Sequence, residues 1–330
     1  LHRVDRRQRQ MCIRDRFDCP TSQQKSALLG MSTFIESENK DDFYILCGAA
    51  GTGKTSITSA LIGYMNAKAV TYKIVAPTGR AARILGRKSK TLTGTIHSLI
   101  YDTKSNPETG EIIFAVKANP IKDLSIYIVD EASMVAATAQ RQEGSLFSSK
   151  NALLNDLINF VKSGHTNNKI IFLGDKNQLP PVNENDSMAL SEEYLKAKFE
   201  LKGTSHLLTE VKRQEDGSYI LKNALAIREG IENYSAKIQL QGVEKVNISQ
   251  AASSYVIQYH KNGYEAVVSI GATHKMNSMF NNNIRARLYG YNAKTIENDD
   301  LLLITQTWRR NDFQLYLSLI HISEPTRLRR

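Results

Sequence analysis

An eight-residue run, "GAAGTGKT" at 48–55, constrains this chain more than any other feature. It fits G-x-x-x-x-G-K-[ST], follows the apolar run "FYILC" and opens a helical segment. Strand, glycine turn and helix in that order form a phosphate cradle. Gly48, Gly51, Thr52 and Gly53 present backbone N–H groups to an anion, and the glycines let it come close. The helix opening at Lys54 aims its positive dipole end at the same point. Lys54 is expected to reach the β- and γ-phosphates, and Thr55 to ligate Mg²⁺. ATP and Mg²⁺ are therefore the expected cofactors.

A second apolar run, "IYIVDEAS" at 126–133, ends in Asp130 and Glu131. Strand ends at the carboxyl edge of a parallel sheet are where ligands bind. Asp130 suits the metal, and Glu131 suits the base that orients and deprotonates an attacking water. Taken alone, an Asp-Glu pair after a strand is more often a solvated strand end. The upstream phosphate loop changes that balance.

Around these two motifs, short apolar runs alternate with helical segments. Strands are expected at Phe43–Cys47, Lys73–Ala76, Ser125–Asp130, Lys169–Leu173 and Ala266–Ile270. Helices are expected at Lys54–Tyr64, Gly79–Leu85, Asn151–Lys162 and Met276–Leu288. This alternation predicts an α/β fold with a parallel sheet covered on both faces. The stretch beginning "TKSNPETG" at 103 breaks the rhythm and predicts a β-hairpin insertion over 103–118. A second domain is expected to begin between 215 and 265.

With 330 residues, of which 41% are hydrophobic, the chain has room for two ordinary domains. No run approaches the roughly 18 apolar residues of a membrane helix, and the basic N-terminus has no apolar segment after it to make a secretory signal. Cys12, Cys19 and Cys47 form no CxxC pair, which argues against a disulfide framework or zinc site and for a reducing, cytoplasmic setting. The net charge of +10 is weak evidence for nucleic acid, because residues 1–16 hold six Arg against two Asp and residues 318–330 three Arg against one Glu. Both ends, "RQMCIRDR" at 9–16 and "SLIHISEPTRLRR" at 318–330, lack a periodicity that joins their neighbours. They are similar to translated sequencing-adapter read-through and are expected to lie outside the fold.

A phosphate loop alone leaves kinases, GTPases and motor ATPases open. Further segments narrow the choice: "APTGRAA" from 76, "TGTIHSL" from 93, "GDKNQLPPV" from 174, "LTEVKR" from 208 and "ATHK…NNNIR" from 272. Together with the two motifs above, and in this order, they resemble superfamily 1 helicases of the 5′-to-3′ branch, the RecD-type and phage Dda-type enzymes, over residues 20 to 316. The resemblance implies a RecA-like ATPase domain at 17–102 and 119–215, a pin insertion at 103–118, the start of a second RecA-like domain at 216–317, and non-native or disordered ends at 1–16 and 318–330. It implies that Gln24 meets the adenine edge, with Gln23 as its rival, that Gln178 senses the γ-phosphate, and that Arg213 stabilises charge on the transferred phosphoryl group. It places Pro77, Thr78, Arg80, Thr95 and His97 on the backbone of single-stranded DNA, and Phe114 on the pin as a duplex wedge. Thr273, Asn282 and Arg285 match the opening of the second domain, whose Met276, Met279 and Phe280 are expected to pack as a core stripe.

The partners so implied are single-stranded DNA and duplex junctions, with a monomer as the expected state and no membrane. No segment resembles the family's later second-domain motifs. The chain is therefore expected to be truncated, to bind ATP weakly, to leave 266–316 poorly packed and not to unwind. On residues alone two other readings stay open. One is a P-loop ATPase acting on a substrate other than nucleic acid, and the other is a non-catalytic nucleotide- or DNA-binding module.

Overall fold

The computed structural model describes residues 20–36, 38–105, 112–139, 147–148, 151–210, 219–233, 239–263, 266–291, 296–297, 300–303, 308–310, 313–315 and 319–321. Contacts between residues divide the chain into two compact units, with the division between 237 and 238. Helix Tyr219–Glu232 goes with the first unit, where its Arg228 and Glu232 bond Asp175 and Asn177.

The first unit is built on six parallel strands: β1 (Phe43–Gly48), β2 (Thr71–Ala76), β3 (Gly94–Thr95), β6 (Ser125–Val129), β8 (Lys169–Gly174) and β9 (Gly203–Leu208). Their order across the sheet is β3-β2-β6-β8-β1-β9. β1, β6 and β8 are buried along their whole length, which explains their unbroken apolar runs. Alternate residues feed two cores. Phe43, Ile45, Tyr127, Val129, Ile170 and Phe172 face one. Tyr44, Leu46, Ile126, Ile128, Ile171 and Leu173 face the other. Helices α1 (Ser22–Ile35), α2 (Lys54–Ala67) and α3 (Gly79–Ser89) cover the second core, while α4 (Ile96–Ile100), α5 (Leu153–Gly164) and α6 (Glu192–Phe199) cover the first. This is the doubly covered parallel α/β sheet that the alternation predicted.

α1 has no counterpart in the expected helices, yet a capping box of Thr21 with Gln24 opens it. At its other end the buried ammonium of Lys169, on β8, donates to the carbonyls of Phe34, Glu36 and Asn39 at 2.6–2.7 Å. A cation at a helix C-terminus satisfies the last carbonyls and opposes the negative dipole end. The first helix is thereby fastened to the centre of the sheet.

β4 (Tyr101–Ser105) and β5 (Ile112–Val116) pair antiparallel, Tyr101 opposite Val116, and form the expected hairpin two residues earlier than its predicted start. β7 (Phe147–Ser148) adds a third strand parallel to β5.

In the second unit α8 (Ile248–Asn262) packs on α9 (His274–Tyr289) through Tyr255 and Phe280, ring centroids 6.1 Å apart. Arg287 also bonds Ser249 at 2.8 Å. The strand expected at Ala266–Ile270 does not form. Val268 is 80% and Ile270 93% exposed, and among the described residues no strand lies beside them to complete a ladder. Met276 and Met279 are each about half exposed rather than in a core stripe, although α8 packs on this helix. The described strands of this unit form two antiparallel pairs, β10 (Leu301–Leu303) with β13 (Leu319–His321) and β11 (Trp308–Arg310) with β12 (Phe313–Leu315). Residues 319–321, expected outside the fold, thus take part in a ladder, three apolar residues of β10 lying opposite them.

Candidate functional site

All six strands of the main sheet are parallel, so their carboxyl ends share one edge. Cys47 pairs with Gly174, Gly48 with Leu208, Val75 with Val129 and Ala76 with Thr95. Every motif read in the first unit leaves from this edge. The phosphate loop follows β1, "APTGRAA" and "TGTIHSL" run on from β2 and β3, Asp130-Glu131 follow β6, and "GDKNQ" follows β8.

In the loop, Gly51 and Gly53 have φ of +87° and +89°, left-handed values that favour glycine. Gly53 has a second reason. A Cβ there would lie 2.4 Å from Nε2 of Gln24, which donates to the carbonyl of Thr52 at 2.8 Å. Gln24 is 1% exposed, and its Oε1 accepts from Thr21 N. It therefore braces the loop from behind and reaches the site through the loop's backbone. Gln23 is bonded to the segment after β9. Its Nε2 donates to Thr209 Oγ1, and its Oε1 accepts from Thr209 N and Glu210 N. Lys54 folds over the loop, Nζ donating to Gly48 O at 2.5 Å and Ala49 O at 3.1 Å. Burial lowers its pKa, while the charges of Asp175, Glu131 and Asp130, in that order, hold the ammonium form. Thr55 follows it as the second residue of α2.

Asp130 extends the ladder by one bond, N to Val75 O at 2.9 Å. Glu131 then turns the chain in a left-handed conformation, φ 50° and ψ 40°, at the start of a 3₁₀ turn. Such a conformation in a non-glycine residue costs on the order of 1 kcal/mol and collects at functional sites. Burial, then the neighbouring charge of Glu131, push the Asp130 carboxyl up to about 6. A half-buried carboxylate crowded by a second one is a site short of positive charge. With the hydroxyl of Thr55 it offers the hard oxygen donors that Mg²⁺ takes, so the residues fit that ion.

This crowding has a sign that can be checked. The folded value lies above the ordinary 3.8, so the native state holds the proton more tightly than the unfolded chain. Without metal, stability should fall as pH rises from about 4 to about 6 and stay lower above. Asp130→Asn removes the penalty. Thermal melts without Mg²⁺ should show the variant more stable at pH 7 by about 1–3 kcal/mol and level with the parent below pH 4. No gain at pH 7 would refute the assignment.

After β8, Asp175 is buried and accepts from Asn177 N at 3.1 Å, and Gln178 N donates to Asp175 O at 3.1 Å. Gln178 is exposed at the tip of this turn. Further along, Glu184 Oε1 accepts from Ala137 N, Thr138 N and Thr138 Oγ1, each at 2.8 Å. The loops after β6 and β8 are joined in this way. Glu184 carries no motif signal and was not singled out in the sequence. Arg213 lies outside the described residues.

The candidate strand face follows β2 and β3. Thr78 Oγ1 caps α3 by accepting from Ala81 N, and Thr95 Oγ1 caps α4 by accepting from Ser98 N. A hydroxyl that accepts at a helix start keeps its own proton for another acceptor, so each cap can also donate to a phosphate at a helix N-terminus. Pro77 is half-buried and Arg80 exposed beside Thr78. His97 packs on Tyr101, ring centroids 5.7 Å apart. It is exposed, while burial lowers its pKa, so it presents a neutral imidazole at pH 7. Phe114 falls on β5 opposite Thr103, and its side chain lies outside the described residues. In the second unit Thr273 caps α9, Asn282 is exposed, and Arg285 pairs with Asp300.

A family model described as an AAA domain matches residues 22–246. The ATP-dependent DNA helicase dda of Enterobacteria phage T4 is 29% identical over 248 residues, which cover 74% of this chain and 50% of that protein. The ATP-dependent RecD2 DNA helicase of Deinococcus radiodurans is 29% identical over 138 residues, 42% of this chain and 16% of that protein. The chain thus spans about half the length of the phage relative it matches. The crystal structure of Pif1 helicase from Candida albicans aligns over 87% of this chain and 57% of its own, at 16% identity and a TM-score of 0.47, too distant to carry an argument.

Proposed function

The chain belongs to the AAA-domain family, among superfamily 1 helicases of the 5′-to-3′ branch, and from that premise we propose that its first unit is the ATP-hydrolysing, strand-gripping lobe of a DNA helicase. The observation that carries the proposal is the common edge. The phosphate loop, the Asp130-Glu131 pair and the "GDKNQ" turn leave the same end of one sheet as the Thr78 and Thr95 caps.

The assignment of roles follows the chemistry of each group. Lys54 and the loop's N–H groups hold the phosphates, with Gln24 keeping the loop in shape from behind. Thr55 and Asp130 would hold Mg²⁺, which neutralises phosphate charge when bound. Glu131 takes the proton of the attacking water. Gln178, exposed on the turn beside it, senses the terminal phosphate, and Arg213 completes the charge stabilisation. Thr78, Thr95, His97 and Arg80 contact the strand backbone, with Pro77 shaping the turn. Hydroxyls, one neutral donor and one cation grip phosphates without reading bases. Translocation in the 5′-to-3′ direction and strand separation, with Phe114 on the hairpin as wedge, belong to a protein with two complete RecA-like lobes.

The test isolates the strand face without unfolding it. Asp is a good helix N-cap, so Thr78→Asp keeps the start of α3 while placing an anion where a phosphate would sit. Its melting temperature should match the parent's, and its affinity for single-stranded oligonucleotides should fall about tenfold for every sequence alike. For the parent, binding should weaken steeply with salt, and ATP hydrolysis should quicken when oligo-dT is added. ATP hydrolysis indifferent to single strands would favour the non-nucleic-acid ATPase, and unchanged binding by Thr78→Asp would remove the strand face.

A further inference from the structure

Helix α7 (Tyr219–Glu232) carries an arginine that no motif marks. Arg228 Nη1 lies 3.4 Å from Asp175 Oδ1, and its Nε donates to Glu232 Oε1 at 3.2 Å. Asn177 closes the ring, Nδ2 donating to the same Glu232 oxygen at 3.3 Å while its N–H donates to Asp175 Oδ1. The turn after β8 and the helix are thus tied by four side chains. The side chains of Asp175 and Arg228 are 8% and 20% exposed, so solvent screens their attraction only in part.

Asp175 also lies near a second cation. Cys47 pairs with Gly174, so Asp175 leaves β8 beside the start of the phosphate loop, where Lys54 Nζ donates to Gly48 O, and its charge favours the ammonium form of Lys54. Asp175 therefore stands between Lys54 on the phosphate loop and Arg228 on α7. A nucleotide triphosphate brings several negative charges to Lys54 and must compete there with every carboxylate nearby. Asp175 competes least when another cation already neutralises it.

We propose that Arg228 is a positioning residue for nucleotide binding that acts through Asp175, neutralising that carboxylate so that Lys54 is left to the phosphates. The inference rests on the reading of residues 48–55 as the nucleotide site.

The measurement is the dissociation constant of MgATP by isothermal titration on the whole chain. Four proteins are compared: the parent, Arg228→Gln, Asp175→Asn and the double variant. Arg228→Gln should weaken binding about tenfold, as removing one neutralising charge beside a phosphate site does. Adding Asp175→Asn to it should restore affinity to within about threefold of the parent, because the competing carboxylate is gone. Asp175→Asn alone should bind as tightly as the parent or more so, and Arg228→Lys, which keeps the charge, should stay near the parent. Were Arg228 only a strut for α7, Arg228→Gln would lower the melting temperature and leave MgATP binding by the folded protein unchanged. Unchanged binding by Arg228→Gln, a double variant no better than Arg228→Gln, or weakened binding by Asp175→Asn alone would each overturn the inference. The last remains readable if Arg228→Gln fails to fold. A parent that binds no MgATP would instead overturn the nucleotide reading itself, and the inference with it.

Discussion

Lys54→Ala should lower ATP turnover at least about a hundredfold and weaken MgATP binding, with the fold intact. Among the described residues its ammonium bonds the loop carbonyls of Gly48 and Ala49, which stay close to water when it is gone. The core of the sheet makes no use of it. What disappears is the single loop cation aimed at the terminal phosphates, in a site where Asp130, Glu131 and Asp175 already crowd negative charge. Burial also moves the Lys54 pKa below the usual lysine value. Binding in the parent should therefore fade on the alkaline side at a lower pH than an ordinary lysine would allow, and Lys54→Arg should push that limit upward. Steady-state hydrolysis and equilibrium binding across pH check both statements. Parent-like turnover by Lys54→Ala would remove the loop from the mechanism.

Glu131→Gln should separate binding from chemistry. Gln keeps the length and shape of the side chain and suits the same left-handed backbone as well as Glu does. It cannot accept the proton of the attacking water, and loss of a general base costs about 10²–10⁴ in rate. A second effect follows from the neighbouring carboxylate. The charge of Glu131 is one of the two causes that raise the Asp130 pKa. Removing it should return Asp130 toward the ordinary carboxylate range and make it a readier metal ligand. MgATP should thus bind at least as tightly to the variant as to the parent while single-turnover hydrolysis collapses. Full hydrolysis by Glu131→Gln would show that another group takes the proton.

Much of the main sheet was legible because its central strands are buried on both faces and read as continuous apolar runs. Residues 43–47, 73–76, 125–129 and 169–173 follow that rule. β9 escaped it as an edge strand, with Thr204, Ser205 and His206 breaking the run and only its ends buried. β3 has two residues, too few for any period to show. At Ala266–Ile270 the opposite error arose, since β-branched residues favour a strand but cannot supply its partner. The helix at 22–35 could have been found from the capping pair Thr21 and Gln24, whose spacing is visible in "TSQQ". In the site, the phosphate loop and the Asp-Glu pair announce themselves because their chemistry requires neighbours in sequence. Arg228 does not, because its partner lies 53 residues away and an arginine in a helix has many uses. Glu184 is hidden for the same reason, its backbone partners lying 46 and 47 residues upstream.

The polarity of the sheet leaves its amino edge for the experimenter. The turns before β2, β8 and β9, at 68–70, 165–168 and 200–202, enter strands from the side opposite the phosphate loop. Asn167 is exposed there, and Cys47, the free cysteine among the described residues, is buried. With Cys12 and Cys19 replaced by Ser, a thiol introduced at 167 gives a handle for a dye or a surface tether that leaves the nucleotide and the strand unobstructed. Forces or distances recorded through it would report on the lobe as a body, free of steric interference at its working edge.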